Sequence, residues 1–137
     1  MKVGKKKRVE AIIEKIREMC ESDFRIVAVY IFGSFVTKNR TSRDIDIAIL
    51  LKEEYVEDFP ILSFIAIMEK KLSFPVDVII LNKAEELLKY EIRKNGRLIF
   101  ERDPYERKRF EIISRKNLED FLFLHKRYIN RVLYRNG

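Results

Sequence analysis

Apolar residues recur at Val9, Ile12, Ile13, Ile16 and Met19, three and four positions apart, with charged residues filling most of the gaps. That spacing predicts an amphipathic helix over residues 5–21 with a charged outer face. The period then changes. "FRIVAVYIFG" (24–33) is rich in β-branched and aromatic residues and closes on a glycine, the pattern of a buried strand. "DIDIAILL" (44–51) reads as a second strand, and "PVDVIILN" (75–82) as a third whose entry is fixed by proline. Between the first two lie ten polar-rich residues, 34–43, expected as a loop or a short helix plus loop. "KEEYVED" is a solvated link, and residues 59–72 read as a helix with Pro60 near its first turn.

Past Asn82, "KAEELLKYEIRKNG" has a helical pattern and stops at Asn95-Gly96, which predicts a left-handed C-terminal cap. "RLIFE" is a candidate fourth strand. Asp103-Pro104 then reads as an N-cap followed by the first helical position, opening a long helix or helix pair to the chain end. The expected class is α/β (α+β): a small mixed β-sheet of three to four strands flanked by helices, with a long C-terminal helix. A core over about residues 5–103 and a helical extension over about 104–135 would make one domain of the 137 residues. Apolar positions in the extension, among them Phe110, Phe121, Leu124 and Val132, are too dense for a small core to cover more than one side.

Composition narrows the setting. No apolar stretch reaches the roughly 18 residues that suggest a membrane span. The basic start "MKVGKKKRVEAII" has its apolar positions broken by charges, unlike a signal peptide. A single cysteine, Cys20, leaves no internal disulfide and fits a cytoplasmic setting. The net charge of +7 favours anionic partners, although the cations are scattered in the manner of solvated helix faces. Charged residues at 37% with no glutamine match the usage of thermophilic proteins.

The second strand carries the chemistry. Alternation along it puts Asp44, Asp46, Ala48 and Leu50 on one face and Ile45, Ile47, Ile49 and Leu51 on the other. The Cα atoms of Asp44 and Asp46 are then roughly 6.5–7 Å apart, so their carboxylates can converge on one or two cations. Without a cation they repel, and one is driven towards protonation. Asp77 occupies the third strand and faces the pair if the strands are adjacent and in register. Three carboxylates on one sheet face suit Mg²⁺, which keeps several waters and takes further ligands from phosphates. Gly33-Ser34, directly after the first strand, offers close backbone approach, a hydroxyl and N–H groups for a phosphate. Each feature alone is commonplace, a solvent-facing strand end or a turn; the combination is not.

"GSF", "RDIDIAIL" and "VDVII" in this order resemble the nucleotidyltransferase superfamily of DNA polymerase β, and within it the minimal nucleotidyltransferases, the MntA-like antitoxins. Ile92, Gly96, Leu98 and Ile99 echo a further element of that group. The likeness covers roughly residues 10–103 and implies the polymerase β palm-like fold. It implies Asp44 and Asp46 as ligands of two Mg²⁺ ions. Asp77 would complete the metal site and help deprotonate an acceptor hydroxyl, while Gly33 and Ser34 would hold the β- and γ-phosphates. The implied reaction moves a nucleoside monophosphate, AMP from ATP, to a hydroxyl, such as a tyrosine of a HEPN-domain toxin partner. Two departures stand out: nine residues separate Ser34 from Asp44, one fewer than the commonest form, and Phe35 stands where relatives carry a basic residue. Lys38, Arg40 and Arg43 are either substitute cations or solvated loop charges.

Among the remaining candidates, His125 reads as a partly buried structural histidine and Cys20 as a helix-end packing residue. Lys5, Lys6, Lys7 and Arg8 read as the start of a solvated helix, and Tyr128 and Tyr134 as packing or interface residues. Two other functions compete with catalysis. One is a non-catalytic module that neutralises a HEPN ribonuclease by complex formation, with homo- or hetero-oligomers formed through the C-terminal helix. The other, direct nucleic-acid binding, is disfavoured because no basic stripe carries stacking aromatics.

Overall fold

A computed structural model describes residues 2–33, 35 and 44–134, with the side chains of 2–6 and 134 excepted. In chain order the elements are α1 (Lys2–Glu21), β1 (Ile26–Phe32), β2 (Ile45–Leu51), α2 (Ile61–Leu72), β3 (Val76–Ile80), α3 (Glu86–Asn95), β4 (Arg97–Glu101) and α4 (Pro104–Tyr134). Short 3₁₀ turns at Glu53–Tyr55 and Leu81–Lys83 follow β2 and β3. The strands form one mixed sheet in the order β3-β2-β1-β4. β1 pairs antiparallel with both β2 and β4, and β2 pairs parallel with β3 across the α2 crossover.

Central position explains the apolar runs: β1 and β2 are covered on both faces, so alternation is replaced by near-continuous hydrophobicity. One face presents Val29, Ile31, Ile45, Ile47 and Ile49 to Ile16 and Cys20 of α1 and to Met68 of α2. The other presents Ala28, Tyr30, Ala48 and Leu50 to Leu81, Ile92 and Phe110. A bulge between Ile26 and Ala28 sends consecutive residues Val27 and Ala28 to this second face. Phe24 and Arg25, expected at the start of β1, belong to the turn before it. Arg25 holds the Asp23 carboxylate through Nε (2.9 Å) and Nη2 (2.7 Å), and Phe24 is left exposed.

Two other expectations need correction. Gly96 does cap α3, but its φ is −78°, so the cap is extended. Glycine suits it because a Cβ would overlap the Ile92 carbonyl oxygen. The left-handed cap falls instead on Ser73 (φ 53°), after α2. β3 ends at Ile80, and Asn82 continues the pairing with its side chain. Its Oδ1 accepts from Leu51 N–H and its Nδ2 donates to Leu51 O, both at 2.9 Å. The C-terminal segment, expected as a long helix or a helix pair, is the former, one helix of 31 residues.

Asp103 caps α4 as expected, with Oδ1 accepting from the N–H groups of Tyr105 (3.0 Å) and Glu106 (3.2 Å). A polar cluster locks the helix to the sheet. The Tyr30 hydroxyl donates to Glu111 Oε1 (2.5 Å), and Arg107 bridges Glu111 and Glu101. Burial first, then the hydrogen bond to Glu111 and its charge, push the Tyr30 phenol up, so it stays a donor. Among the described side chains Leu118 is the last buried one along α4; positions 119–133 are exposed apart from Ile129, which is half-buried. No helix among the described residues is long and apolar enough to cross a membrane.

Arg102 closes the opposite corner. Its Nε donates to Ile26 O (2.9 Å), and its Nη2 reaches the Glu21 (2.6 Å) and Asp23 (3.2 Å) carbonyls, where α1 ends. Charged hydrogen bonds of this kind are worth about 1.5–3 kcal/mol when sheltered. Because Arg102 is exposed, Arg102→Ala should cost about 1–2 kcal/mol, seen as a lower urea midpoint with unchanged slope.

Candidate active site

β1, β2 and β3 bring the carboxylates together at one end of the sheet. Asp46 is the second residue of β2 and pairs in register with Phe32 on one side and Asp77 on the other. Register partners in neighbouring strands project to the same face, so Asp77 and Asp46 stand side by side. Asp44 lies just before β2 and is exposed, Asp77 is exposed, and Asp46 is half-buried. The next side chains on this face, Ala48 and Ile79, belong to the apolar cluster that Ile92 and Phe110 cover. The carboxylates therefore occupy the open end of a face that is closed further along.

Gly33 completes the arrangement. Its φ of 78° lies in the left-handed region, and a Cβ on it would collide with Asp46 Oδ2. The backbone after β1 thus rests directly against the central carboxylate, a contact only glycine permits. Ser34, expected to bind phosphate with Gly33, lies outside the described residues, as do Lys38, Arg40 and Arg43. Phe35 is buried with Ile31, Ile45 and Ile47 in the first core cluster. That position serves packing here, which accounts for an aromatic in place of a cation.

The electrostatics follow from the placement. Burial, then the charges of Asp44 and of Asp77, raise the Asp46 carboxyl above its ordinary value. Such a cluster of hard oxygen donors in mutual repulsion suits a divalent cation. Among the described residues no three acidic, histidine or cysteine side chains are gathered closely enough to enclose an ion by themselves. An ion bound there would draw the rest of its shell from water and a phosphate, the habit of Mg²⁺.

Other candidates fall away from this constellation. His125 is exposed on α4 and stacks on Phe121 at 6.0 Å, which corrects the expectation of partial burial: the core stops short of it. Cys20 is fully buried and burial pushes its thiol up to about 12, which suits packing and not nucleophilic chemistry.

Comparison with known proteins agrees with this fold. The Polymerase beta, Nucleotidyltransferase family profile matches residues 14–105. No curated protein sequence matches significantly. A chain from the crystal structure of a toxin–antitoxin with AMP-PNP is similar in fold, with a TM-score of 0.70 at 19% identity over 88% of this chain and 98% of that one. A chain of the MntA–HepT toxin–antitoxin gives 0.66 at 16% identity, over 90% and 98%. Another comes from a tri-AMPylated Shewanella oneidensis HEPN toxin in complex with MNT antitoxin, at 0.68 and 18% identity, over 91% and 98%. At such identities these likenesses speak for the fold. The profile match spans most of the chain, including all four strands and every described carboxylate of the site, and the chain belongs to the polymerase β nucleotidyltransferase family.

Proposed function

We propose that the chain is a Mg²⁺-dependent nucleotidyltransferase that moves AMP from ATP to an acceptor hydroxyl, a tyrosine of a HEPN-domain toxin being the acceptor that fits best. The observation that carries this reading is the register of β2, which sets Asp46 between Asp77 and the left-handed Gly33. Asp44, Asp46 and Asp77 would hold the metal, which when bound neutralises the triphosphate and stabilises the entering and leaving oxygens of an in-line displacement. Gly33, with Ser34 beside it, lets the β- and γ-phosphates approach the backbone next to those carboxylates. Asp77, exposed on the edge strand, would take the proton of the acceptor hydroxyl. The acceptor oxygen then bonds to the α-phosphorus and pyrophosphate departs with the bridging electron pair. The AMP-PNP and AMPylated toxin named for two structural relatives support adenylyl transfer and a HEPN partner.

A second reading, neutralisation of the toxin by binding alone, is favoured by the apolar side chains on the projecting half of α4. One experiment separates the two. The purified chain is incubated with labelled ATP, Mg²⁺ and the product of the neighbouring gene, alongside Asp44→Ala/Asp46→Ala. The wild type is expected to transfer label and to neutralise the partner, and the double variant to do neither. A double variant that neutralises the partner fully would assign the role to binding.

A further inference from the structure

The cleft of about 750 Å³ at the far end of β2 from Asp46, and the helix that borders it, carry a second inference. Leu50 and Leu51 line this cleft with Phe110 and Ile113 of α4, and Glu53, Glu54 and Glu106 stand at its rim. The lining carries four carboxylates, Glu53, Glu54, Asp103 and Glu106, against three cations, of which Arg102 is turned into the carbonyls that end α1 and Lys52 lies 5.5 Å over the Phe24 ring. The rim is therefore net acidic. The projecting end of α4 is the opposite: Lys126, Arg127 and Arg131 are its charged residues from Phe121 to Leu133.

One stripe of α4 joins the two regions. Phe110, Ile113, Phe121, Leu124 and Tyr128 lie at helical spacing on one face, with Asn117 midway. Glu106 extends the stripe by one turn at the cleft end and Arg131 extends it at the projecting end. Ile113, Phe121, Leu124 and Tyr128 are all about half exposed or more. The pattern is self-complementary when reversed. Laid antiparallel on a copy of itself, the stripe sets Phe110 against Tyr128, Ile113 against Leu124 and Glu106 against Arg131, with a two-fold axis near Asn117 and Phe121. The contact runs over about 38 Å of helix.

We propose that this face binds a second copy of the chain as an antiparallel α4 pair, each basic helix end lying over the acidic cleft of its partner. A closed two-fold contact uses the same patch on both copies, which is what a stripe with opposite charges at its two ends provides. The carboxylate end of the sheet stays open in this arrangement, and the proposal does not depend on the catalytic reading.

Light scattering on the purified full-length chain, over a dilution series, tests it. The wild type is expected at twice the monomer mass. Leu124→Glu places two carboxylates in the contact and should weaken association about a hundredfold or more. Glu106→Arg or Arg131→Glu alone, each acting twice across the axis, should weaken it about tenfold. Glu106→Arg/Arg131→Glu in one chain should restore it. Leu133→Glu, on an exposed residue of another face, should leave the dimer intact. All these positions are exposed, so circular dichroism should report unchanged folding. A wild-type chain that is monomeric throughout overturns the proposal. So does a dimer that withstands Leu124→Glu, or a double charge reversal that fails to recover association.

Discussion

Asp46→Asn is expected to reduce nucleotidyl transfer by about 10²–10³-fold or more while leaving the fold as stable as the wild type, or slightly more so. The side chains are nearly isosteric, so the packing beside Gly33 is kept and the charge alone is lost. That charge is held at a disadvantage, because burial and the neighbouring Asp44 and Asp77 raise the Asp46 carboxyl. A carboxyl raised by folding contributes no penalty below its unfolded value of about 3.9. The penalty builds as pH rises through the interval up to the folded value, and it is fully present above it. Asparagine removes it, so the variant's melting temperature should exceed the wild type's by about 1–3 °C at neutral pH, and the gap should close in acid. The rise is small because the site is largely open to solvent, which screens the repulsion. Mg²⁺ should reverse the order: a cation that binds the native state stabilises it by mass action, and only the intact cluster binds well. Thermal melts with and without Mg²⁺, at neutral and acid pH, check each part. A wild type whose melting ignores Mg²⁺ would remove the metal from the proposed mechanism.

Much of this site could be read from residue order because its parts obey short-range rules. Period-two alternation assigned Asp44 and Asp46 to one face, and Pro75 fixed where the third strand starts. Strand neighbours, by contrast, are chosen by tertiary packing. Nothing local says that β2 lies between β1 and β3, or that Asp77 pairs with Asp46 and not with Asp44. The Gly33 contact with Asp46 needed the same knowledge, since it joins residues on either side of the 34–43 segment. Gly96 was misread for a related reason. After a helix, glycine usually means a left-handed cap, but here it relieves crowding against the Ile92 carbonyl, while Ser73 accepts the strained conformation without glycine's signature. The link from Tyr30 to Glu111 spans 81 positions, and no sequence pattern announces it. The apolar excess of the terminal helix was visible, yet its division into a buried part ending at Leu118 and an exposed remainder depends on where the sheet stops.

Gly33→Ala is the second substitution with a large expected effect, and it separates two physical demands at one position. The left-handed conformation costs an L-residue about 1–2 kcal/mol. The added Cβ also collides with Asp46 Oδ2, so the carboxylate must turn away from the place it shares with Asp77. Transfer should therefore fall about a hundredfold, since a shift of about 1 Å at a reacting site has that scale of effect. The protein should also lose about 1–3 kcal/mol of stability. Gly33→Asn divides these costs, because asparagine tolerates the left-handed region far better than alanine but carries the same Cβ. The asparagine variant should recover much of the stability in urea titrations and none of the transfer activity. If it recovers both, conformational strain is the whole reason for glycine at this position. If it recovers stability alone, the close approach of backbone to carboxylate is a requirement of the chemistry, and Gly33 holds Asp46 in its working position.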